Sequence, residues 1–436
     1  MSRKTQNCEK EKNRGFIWGF PVGDSEASEA CDSPGGKKKE KGISLLIAIM
    51  AIAVMITFIA EMIVSSTVNV EMTLLGRDRA KADYLARSGL NLGLYFLTAN
   101  RLWDQVQASG VMGQKVEPTD GPGSLWNIIN TLPPMGSDSL GMMKLAADAE
   151  GDPLGLSGFM NEKVAGQMEL LEGQFTVKVS DEQSRINLND CSSGGARACQ
   201  EVLAQLEALF SCPAEKAFLE TKNLSPKEMA YRIKDFIIDF DRESVESNID
   251  SKDGPYEKEN PPYKSKRAPF DSLEELRLVK GWDDDMHAVF SPYLTIYPFK
   301  YKKEDNFAVN INTAPKELLS CLIPQSWEES VREKSVQELY RLQKKESNLA
   351  GDKKAIKEKL KSLFGYTGEG DNDETKLENW FTVRSDVFRL EVTAQTGHQE
   401  RKLIAVIRRL DSGNQEPLVL KREIKRAWQV LYWKLI

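Results

Sequence analysis

The stretch Ile43-Ser-Leu-Leu-Ile-Ala-Ile-Met-Ala-Ile-Ala-Val-Met-Ile-Thr-Phe-Ile-Ala60 decides the fold of this chain. Continued to Val64, the run contains one charged residue, Glu61. A helix of that length spans roughly 33 Å, which is enough to cross the hydrocarbon core of a bilayer. The sequence has no second run of this kind, so we predict one membrane-spanning helix and a large remainder outside the bilayer.

The sequence on both sides of the apolar run gives its orientation and its extent. The preceding residues Lys37-Lys-Lys-Glu-Lys41 are basic, which favours a cytoplasmic N-terminus and a C-terminal part on the other side of the membrane. After the run, apolar residues recur at helical spacing from Val70 to Leu97. We therefore expect one helix that continues beyond the bilayer to about residue 98.

Composition restricts the class of protein. Hydrophobic residues make up 41% of the 436 residues and charged residues 28%, so folded cores are expected. The net charge of −6 argues against a protein that coats nucleic acid. The two histidines, His287 and His398, are far apart in sequence, so a histidine-based zinc enzyme or hydrolase is a poor fit. We predict no enzymatic activity.

Four cysteines follow the apolar run: Cys191, Cys199, Cys212 and Cys321. In an oxidising compartment, an even number of cysteines is typical of disulfide pairing. Three pairings are open, and the short Ser/Gly-rich loop between Cys191 and Cys199 favours a disulfide between these two. Buried free thiols are the alternative.

The junction between the basic stretch and the apolar run resembles the cleavage site of type IV prepilins and type II secretion pseudopilins. In those families a membrane peptidase cuts after the glycine and methylates the new N-terminus, which implies processing between Gly42 and Ile43. Most members have Glu at the fifth residue after the cut. Here Ile47 occupies that position, and the subunit family known to lack this Glu is the type II secretion minor pseudopilin K.

Further motifs occur in the order typical of minor pseudopilin K, from the basic stretch to about residue 410. Each is short and weak alone, but their order and spacing together are specific. The matching segments are Val179–Asn189, Asp235–Asp241, Pro261–Tyr263, Phe270–Gly281, Tyr293–Pro298, Val309–Pro315 and Phe381–Arg389.

The resemblance implies a function and a set of partners. Minor pseudopilin K lies at the tip of the type II secretion pseudopilus and helps to initiate its assembly and the export of folded proteins across the outer membrane. It is a single-pass protein of the bacterial inner membrane with its C-terminal part in the periplasm. The implied partners are the I- and J-type minor pseudopilins, the prepilin peptidase and the inner-membrane secretion platform, with no nucleic acid.

The pattern along the chain predicts an α+β fold. Alternating apolar and polar residues predict strands at 174–180, 387–394 and 402–408, and helical patterns dominate between them. We expect a long N-terminal helix and an antiparallel sheet, interrupted by a large α-helical insertion. The predicted segments are a leader (1–42), the transmembrane and assembly helix (43–98), the first part of the pilin-like domain (99–190), the α-helical insertion (191–379), closing strands (380–410) and a tail (411–436).

An acidic stretch follows one of the predicted helices and forms the candidate metal site. Hard oxygen ligands on a loop suit calcium, although the spacing is not that of an EF-hand. The resemblance also implies calcium in the corresponding loop, and a solvated acidic loop is the alternative. The candidate ligands are Asp239, Asp241, Glu243, Asp250 and Asp253.

A short motif with two asparagines occurs twice in the sequence. Ile186-Asn-Leu-Asn189 and Val309-Asn-Ile-Asn312 each precede a predicted helix, so Asn189 and Thr313 are predicted N-caps.

Two alternative functions remain open for this sequence. A minor pilin of a type IV pilus is the first alternative function. A membrane-anchored helix-hairpin-helix protein of DNA uptake is the second, but the three carboxylates at 283–285 would repel phosphate.

Overall fold

A computed structural model describes residues 41–110, 119–136, 172–193, 195–238, 253–298, 307–323, 328–344, 358, 379–397, 399–410 and 428–436. The chain divides into two compact units, Met1–Asn69 and Val70–Ile436. In the first unit the described residues, 41–69, are all helical. The second unit contains the sheet and the remaining helices.

Helix α1 runs from Lys41 to Ser109, so it continues past the predicted end near residue 98. Within the described part of the chain, it is the one helix that is long and apolar enough to cross a membrane. Its large apolar side chains are exposed from Ile43 to Leu75. Farther along, buried positions recur at helical spacing, among them Ala82, Ala86, Leu90 and Leu97.

Five antiparallel strands form the main sheet, in the order β1-β2-β7-β8-β9. Strand β2 pairs with β7 from Gln174↔Gln395 to Asp181↔Phe388. One face of the sheet packs against α1 and forms a core that includes Phe175, Val177, Leu390 and Val392. The strands are β1 (Met135–Gly136), β2 (Gln174–Asp181), β7 (Val387–Thr396), β8 (Gln399–Arg409) and β9 (Trp428–Leu435).

The segment predicted as a tail, 411–436, ends in a strand of this sheet. Strand β9 pairs with β8 in antiparallel orientation, from Leu403↔Leu435 to Arg409↔Trp428. The Trp428 side chain is buried, and its Nε1 donates to Thr98 Oγ1 on α1 at 3.0 Å. The predicted boundary at residue 410 is therefore corrected, because the apolar residues of β9 complete the sheet.

A helical region lies between β2 and β7 in the sequence and has its own hydrophobic core. Aromatic side chains contribute to this core, for example Phe210 and Phe290, whose ring centroids are 4.9 Å apart. Helix α2 (Leu125–Ile128) precedes β1. The helices of the inserted region are α3 (Asp190–Ser193), α4 (Ala196–Phe210), α5 (Pro213–Thr221), α6 (Pro226–Ile237), α7 (Gly254–Glu257), α8 (Asp284–Phe290), α9 (Lys316–Leu322) and α10 (Glu329–Lys344).

Two parallel ladders of two residues each accompany these helices. Strand β3 (Ile186–Asn187) pairs with β4 (Leu294–Thr295), and β5 (Val309–Asn310) pairs with β6 (Phe381–Thr382). Among the described residues, 3-10 turns are also present at Ile129–Thr131, Glu182–Ser184, Leu273–Leu278 and Ser291–Tyr293. The predicted fold class is confirmed: a long N-terminal helix, an antiparallel sheet and a large helical region.

The disulfide predicted between Cys191 and Cys199 is wrong in this structure. Cys212 bonds Cys321 instead, across a sequence separation of 109 residues. Cys191 and Cys199 are buried free thiols, and the Cys191 Sγ lies 3.5 Å from the Cys199 carbonyl oxygen. Nearness in sequence did not decide the pairing, because the fold brings α9 against the junction of α4 and α5. A cross-link that closes a loop this long stabilises a fold by about 4–5 kcal/mol.

Glycine at position 89 allows α1 to lie close to the sheet. A Cβ atom there would lie 2.5 Å from Val392 Cγ1 and 2.9 Å from Phe175 Cδ2. Both neighbours are buried, so they have little room to move. We expect Gly89→Ala to lower the free energy of unfolding by about 1–3 kcal/mol, despite the higher helix propensity of alanine. Urea unfolding of the full chain in detergent, followed by circular dichroism, measures this change.

Gly76 provides the matched control on the same helix. In the described part of the chain, no atom other than the backbone of the same helix and the adjacent residues lies within 4 Å of a Cβ built at Gly76. Gly76→Ala should therefore raise stability by roughly 1 kcal/mol through helix propensity alone. Equal stability of the two variants would contradict the close packing at Gly89.

Candidate functional site

The buried carboxylate of Asp181, at the end of β2, organises the seam between the sheet and the helical region. Its Oδ1 accepts from Gln183 N at 2.7 Å. Its Oδ2 accepts from Asn310 Nδ2 at 2.9 Å, from Thr313 Oγ1 at 2.5 Å and from Ser385 Oγ. One side chain thereby connects β2, the loop after β5 and the loop before β7.

A second buried group lies beside Asp181, around Asp120. The Asp120 carboxylate accepts from Ser385 N at 3.0 Å and pairs with Arg409 of β8 at 3.3 Å. Asn100 of α1 lies 3.4 Å from Asp120 Oδ1 and 3.3 Å from Asp104 Oδ2. Asn310 joins the two groups, because its Nδ2 also donates to the Asp120 carbonyl at 3.0 Å. The network thus extends from α1 through the sheet to the helical region.

Glu182, next to Asp181, is completely buried, and two arginines compensate its negative charge. It pairs with Arg389 of β7 and with Arg185 at 3.3 Å. Thr295 Oγ1 of β4 donates to Glu182 Oε2 at 2.7 Å. Buried carboxylates are costly unless they are paired and hydrogen-bonded. The acceptors here are occupied by protein donors, which suits a role in holding segments together.

The two echoed segments adopt the same local structure. Asn187 Oδ1 accepts from Asn189 N at 3.2 Å, and Asn310 Oδ1 accepts from Asn312 N at 3.0 Å. Each is an asparagine turn that follows a two-residue parallel strand. The Asn189 side chain bridges distant backbone, with Nδ2 donating to Phe270 O at 2.9 Å and to Ile296 O at 2.8 Å.

The predicted capping role of Thr313 is corrected. The following helix, α9, begins at Lys316 with Pro315 at its N-cap. The Thr313 hydroxyl donates to Asp181 instead. The buried carboxylate recruits this hydroxyl two residues before the cap position.

Burial controls the ionisation of two carboxyl groups in the network. Burial raises the pKa of Asp181 to about 6, although hydrogen bonds from Ser385 and Thr313 act in the opposite direction. Burial and then the neighbouring Asp120 carboxylate raise the pKa of Asp104 to about 6, against the opposing effects of Arg409 and Arg384.

The predicted processing residues lie at the start of α1. Gly42 and Ile43 are in its first turn, which begins at Lys41. The Ile43 side chain is exposed. The cut predicted after Gly42 would leave the apolar helix intact from its new N-terminus.

The structure describes one of the five candidate calcium ligands, Asp253. Its Oδ1 accepts from Ser265 N at 3.1 Å and from Ser265 Oγ at 2.7 Å, and its Oδ2 pairs with Arg267. Burial opposes ionisation of Asp253, but the hydrogen bonds from Ser265 and the charges of Arg267 and Lys264 lower its pKa overall. The other candidates lie outside the described residues: Asp239, Asp241, Glu243 and Asp250.

Several residues of the seam were missed by sequence reasoning. Asp120 lies in a Gly/Pro-rich stretch that predicts turns, and Ser385 lies within the last matching segment, Phe381–Arg389, where its hydroxyl was given no role. Arg409 is a charged residue at the end of a predicted strand, where exposure is the usual expectation. Their roles depend on partners distant in sequence, as in the Asp120–Arg409 pair, with a sequence separation of 289.

The raised pKa of Asp104 predicts an unusual dependence of stability on pH. Its carboxyl binds a proton more tightly in the folded chain than in the unfolded chain, where the pKa is 3.8. Its contribution to stability is therefore complete below about pH 4 and is lost as the pH rises through about 6. We expect Asp104→Asn to match the parent protein at about pH 4 and to be more stable by about 1–3 kcal/mol at neutral pH. Urea unfolding across this pH range measures the difference.

Asp283 provides a control of opposite sign. Its carboxylate caps α8 by accepting from Met286 N at 2.9 Å, and the adjacent Lys222 lowers its pKa. The stabilisation from Asp283 is present above its unfolded pKa and is lost as the pH falls. Asp283→Asn retains a capping oxygen and should reduce stability at neutral pH. Parallel pH profiles for the Asp104 and Asp283 variants would contradict the assignment.

Comparisons with known proteins identify the family of the region next to this seam. Residues 184–299 match the family model described as type II secretion system (T2SS), protein K. The chain also resembles a chain in the crystal structure of the GspK-GspI-GspJ complex from the enterotoxigenic Escherichia coli type 2 secretion system. Identity is 16%, coverage is 84% of this chain and 99% of that chain, and the TM-score is 0.48. A search of curated proteins finds no match. The family predicted from the motifs is confirmed for residues 184–299, which match the type II secretion system protein K family.

Proposed function

We propose that this protein is the K-type minor pseudopilin of a type II secretion system and acts at the tip of the pseudopilus. The observation that carries the proposal is the family match at 184–299. The matched segment includes Arg185, Asn187 and Asn189, which build the seam and its turns. In this role the protein would help to initiate pseudopilus assembly and the export of folded proteins.

The apolar half of α1 supports a single-pass anchor in the inner membrane. Exposed apolar side chains cover this part of the helix, including Ile43, Leu46, Phe58 and Ile63. Lipid is the solvent that such a surface prefers. The basic residues before it favour a cytoplasmic N-terminus, which would put the sheet and the helical region in the periplasm. The Cys212–Cys321 disulfide suits that oxidising compartment.

The proposed partners are the I- and J-type minor pseudopilins, the prepilin peptidase and the inner-membrane secretion platform. A helical region with its own core is inserted between neighbouring strands β2 and β7. Such bulk would be difficult to place within the shaft of a helical filament, whereas the tip leaves one side of the subunit open. This argument favours a terminal position in the pseudopilus.

Processing at the predicted junction tests the proposed filament class. Full-length protein would be expressed in membranes with an active or an inactive prepilin peptidase, and its intact mass would be measured. We expect the active enzyme to remove residues 1–42 and to add one methyl group to Ile43. Gly42→Leu is the matched control and should remain uncut. An unprocessed parent protein beside the active peptidase would indicate a plain signal anchor.

We also propose that the acidic stretch after α6 binds calcium. The carboxylates of Asp239, Asp241, Glu243 and Asp250 supply hard oxygen ligands, which calcium prefers. Calcium bound only by the folded state should raise the melting temperature of the full chain. The double variant Asp239→Ala/Asp241→Ala should lose this rise and keep the melting temperature measured in chelator. Differential scanning calorimetry with calcium or chelator measures both.

Two single variants make the calcium test specific. Asp271 is an exposed carboxylate paired with Lys266 at 2.7 Å, so Asp271→Ala should retain the calcium response. Asp253→Ala should lower the melting temperature even in chelator, because Ser265 and Arg267 would lose their shared partner. A full calcium response in the double variant would exclude this site.

A further inference from the structure

Two free thiols, Cys191 and Cys199, lie side by side in the helical region and have no role in the proposed function. Cys191 lies in α3, and Cys199 lies in the first turn of α4. The Cys191 Sγ donates to the Cys199 carbonyl oxygen at 3.5 Å, and the two side chains also share a hydrogen bond. The fold therefore holds the two sulfur atoms next to each other.

The surroundings of this pair stabilise the neutral thiols. Burial, the hydrogen bond with Cys199 and the nearby Asp190 raise the pKa of the Cys191 thiol well above its usual value, whereas Lys234 acts in the opposite direction. The thiolate is the form that attacks a disulfide. The reduced pair is therefore stable in the folded chain, and its exchange with an external disulfide should be slow.

The exposure of the two residues assigns each thiol a step in an exchange reaction. Cys191 is 7% exposed and Cys199 is 1% exposed. Gly195, in the connection between α3 and α4, is on the surface. Cys191 is therefore the thiol that an external disulfide reaches first. Cys199 is placed to attack the resulting mixed disulfide from within the protein.

A bond between the two sulfur atoms requires only a local adjustment of the chain. Helix α3 is a single turn of four residues, and α4 begins at Ala196. Among the described residues, no atom outside the adjacent residues lies within 4 Å of a Cβ built at Gly195. The connection can therefore shift without a collision. The other two cysteines of the helical region, Cys212 and Cys321, are already bonded to each other.

We propose that Cys191 and Cys199 are a redox-active dithiol, which an external disulfide oxidises to a second disulfide. The Cys191 thiolate attacks the external disulfide, forms a mixed disulfide and releases one thiolate. The Cys199 thiolate then attacks the Cys191 sulfur and releases the second thiolate. The two protein protons pass to the released thiolates, so the protein loses two electrons and one external disulfide is reduced.

This dithiol differs from the permanent cross-link expected from the sequence, because the folded chain holds the reduced form. The contacts that support it are also independent of the pseudopilin assignment. An oxidising compartment would only determine how often the dithiol is oxidised.

The new bond would act on the asparagine turn that precedes α3. Asn187 Nδ2 donates to Asp190 Oδ1 at 3.2 Å, and the Asn189 side chain holds the turn to two distant carbonyl groups. A covalent link from Cys191 to α4 would fix the end of this segment, so its local opening would become rarer. We expect oxidation to slow amide hydrogen exchange across residues 186–193 by about tenfold.

Alkylation and peptide mapping test the exchange on the full-length protein in detergent. Cys8→Ser and Cys31→Ser remove the thiols that precede the apolar run. The protein is incubated with reduced or oxidised glutathione, quenched in acid, denatured and alkylated. We expect two alkylated cysteines with reduced glutathione and none with oxidised glutathione, with Cys212–Cys321 closed in both. Trypsin cuts after Arg197, between the two cysteines, so a new disulfide keeps the two peptides joined.

Two serine variants separate the two steps. Cys199→Ser should stop at a mixed disulfide between glutathione and Cys191, whereas Cys191→Ser should leave Cys199 reduced. In both variants, amide exchange across 186–193 should not respond to the oxidant. Two alkylated thiols after oxidised glutathione, with Cys212–Cys321 closed, would overturn the proposal. A bond from either thiol to Cys212 or Cys321 would also overturn it, and glutathione on Cys199 in preference to Cys191 would overturn the assigned steps.

Discussion

The buried carboxylate of Asp181 is the constraint on which the arrangement of the second compact unit depends. A carboxylate removed from water must be compensated by donors, or its burial opposes folding. Here the donors come from positions 183, 310, 313 and 385, so segments distant in sequence must meet at the end of β2. Gln183, Asn310 and Thr313 belong to the helical region, and Ser385 lies just before β7. The same contacts that compensate the charge therefore connect the two hydrophobic cores.

This constraint explains how a large helical region can be inserted into a sheet without disturbing it. Strand β2 pairs with β7 over the whole length of β2, although the helical region separates the two strands in sequence. The chain leaves the sheet at Asp181 and returns through Ser385, and both residues belong to the same hydrogen-bonded group. The exit and the return are therefore held together by polar contacts instead of further strand pairing. The Cys212–Cys321 cross-link constrains the interior of the inserted region independently.

Local patterns in the sequence predicted helices and strands. Features that depend on partners distant in sequence could not be predicted. The apolar run predicted the start of α1, and alternation predicted β2, β7 and β8. Strand β9 was missed because the polar residues before it read as a tail, although Trp428 completes a core built from α1 and β8. The cysteine pairing was wrong because a short loop was preferred over a contact that only the folded helices create. Asp120 and Arg409 were missed for the same reason. Each is a buried charge that the other compensates, and the two meet only in the folded chain.

The two flanks of the acidic stretch are connected by Arg267, and this contact changes the role expected of Asp253. Helix α6 ends at Ile237, and Phe236 O accepts from Arg267 N at 2.9 Å. The Arg267 side chain pairs with Asp253 on the other side of the acidic stretch. One residue thus holds both flanks, and a rigid frame is one of the factors that tune calcium affinity. Because Arg267 compensates the Asp253 charge and Ser265 donates to its carboxylate, the contacts of Asp253 are satisfied by the protein alone. The calcium proposal therefore depends on Asp239, Asp241, Glu243 and Asp250, which lie outside the described residues.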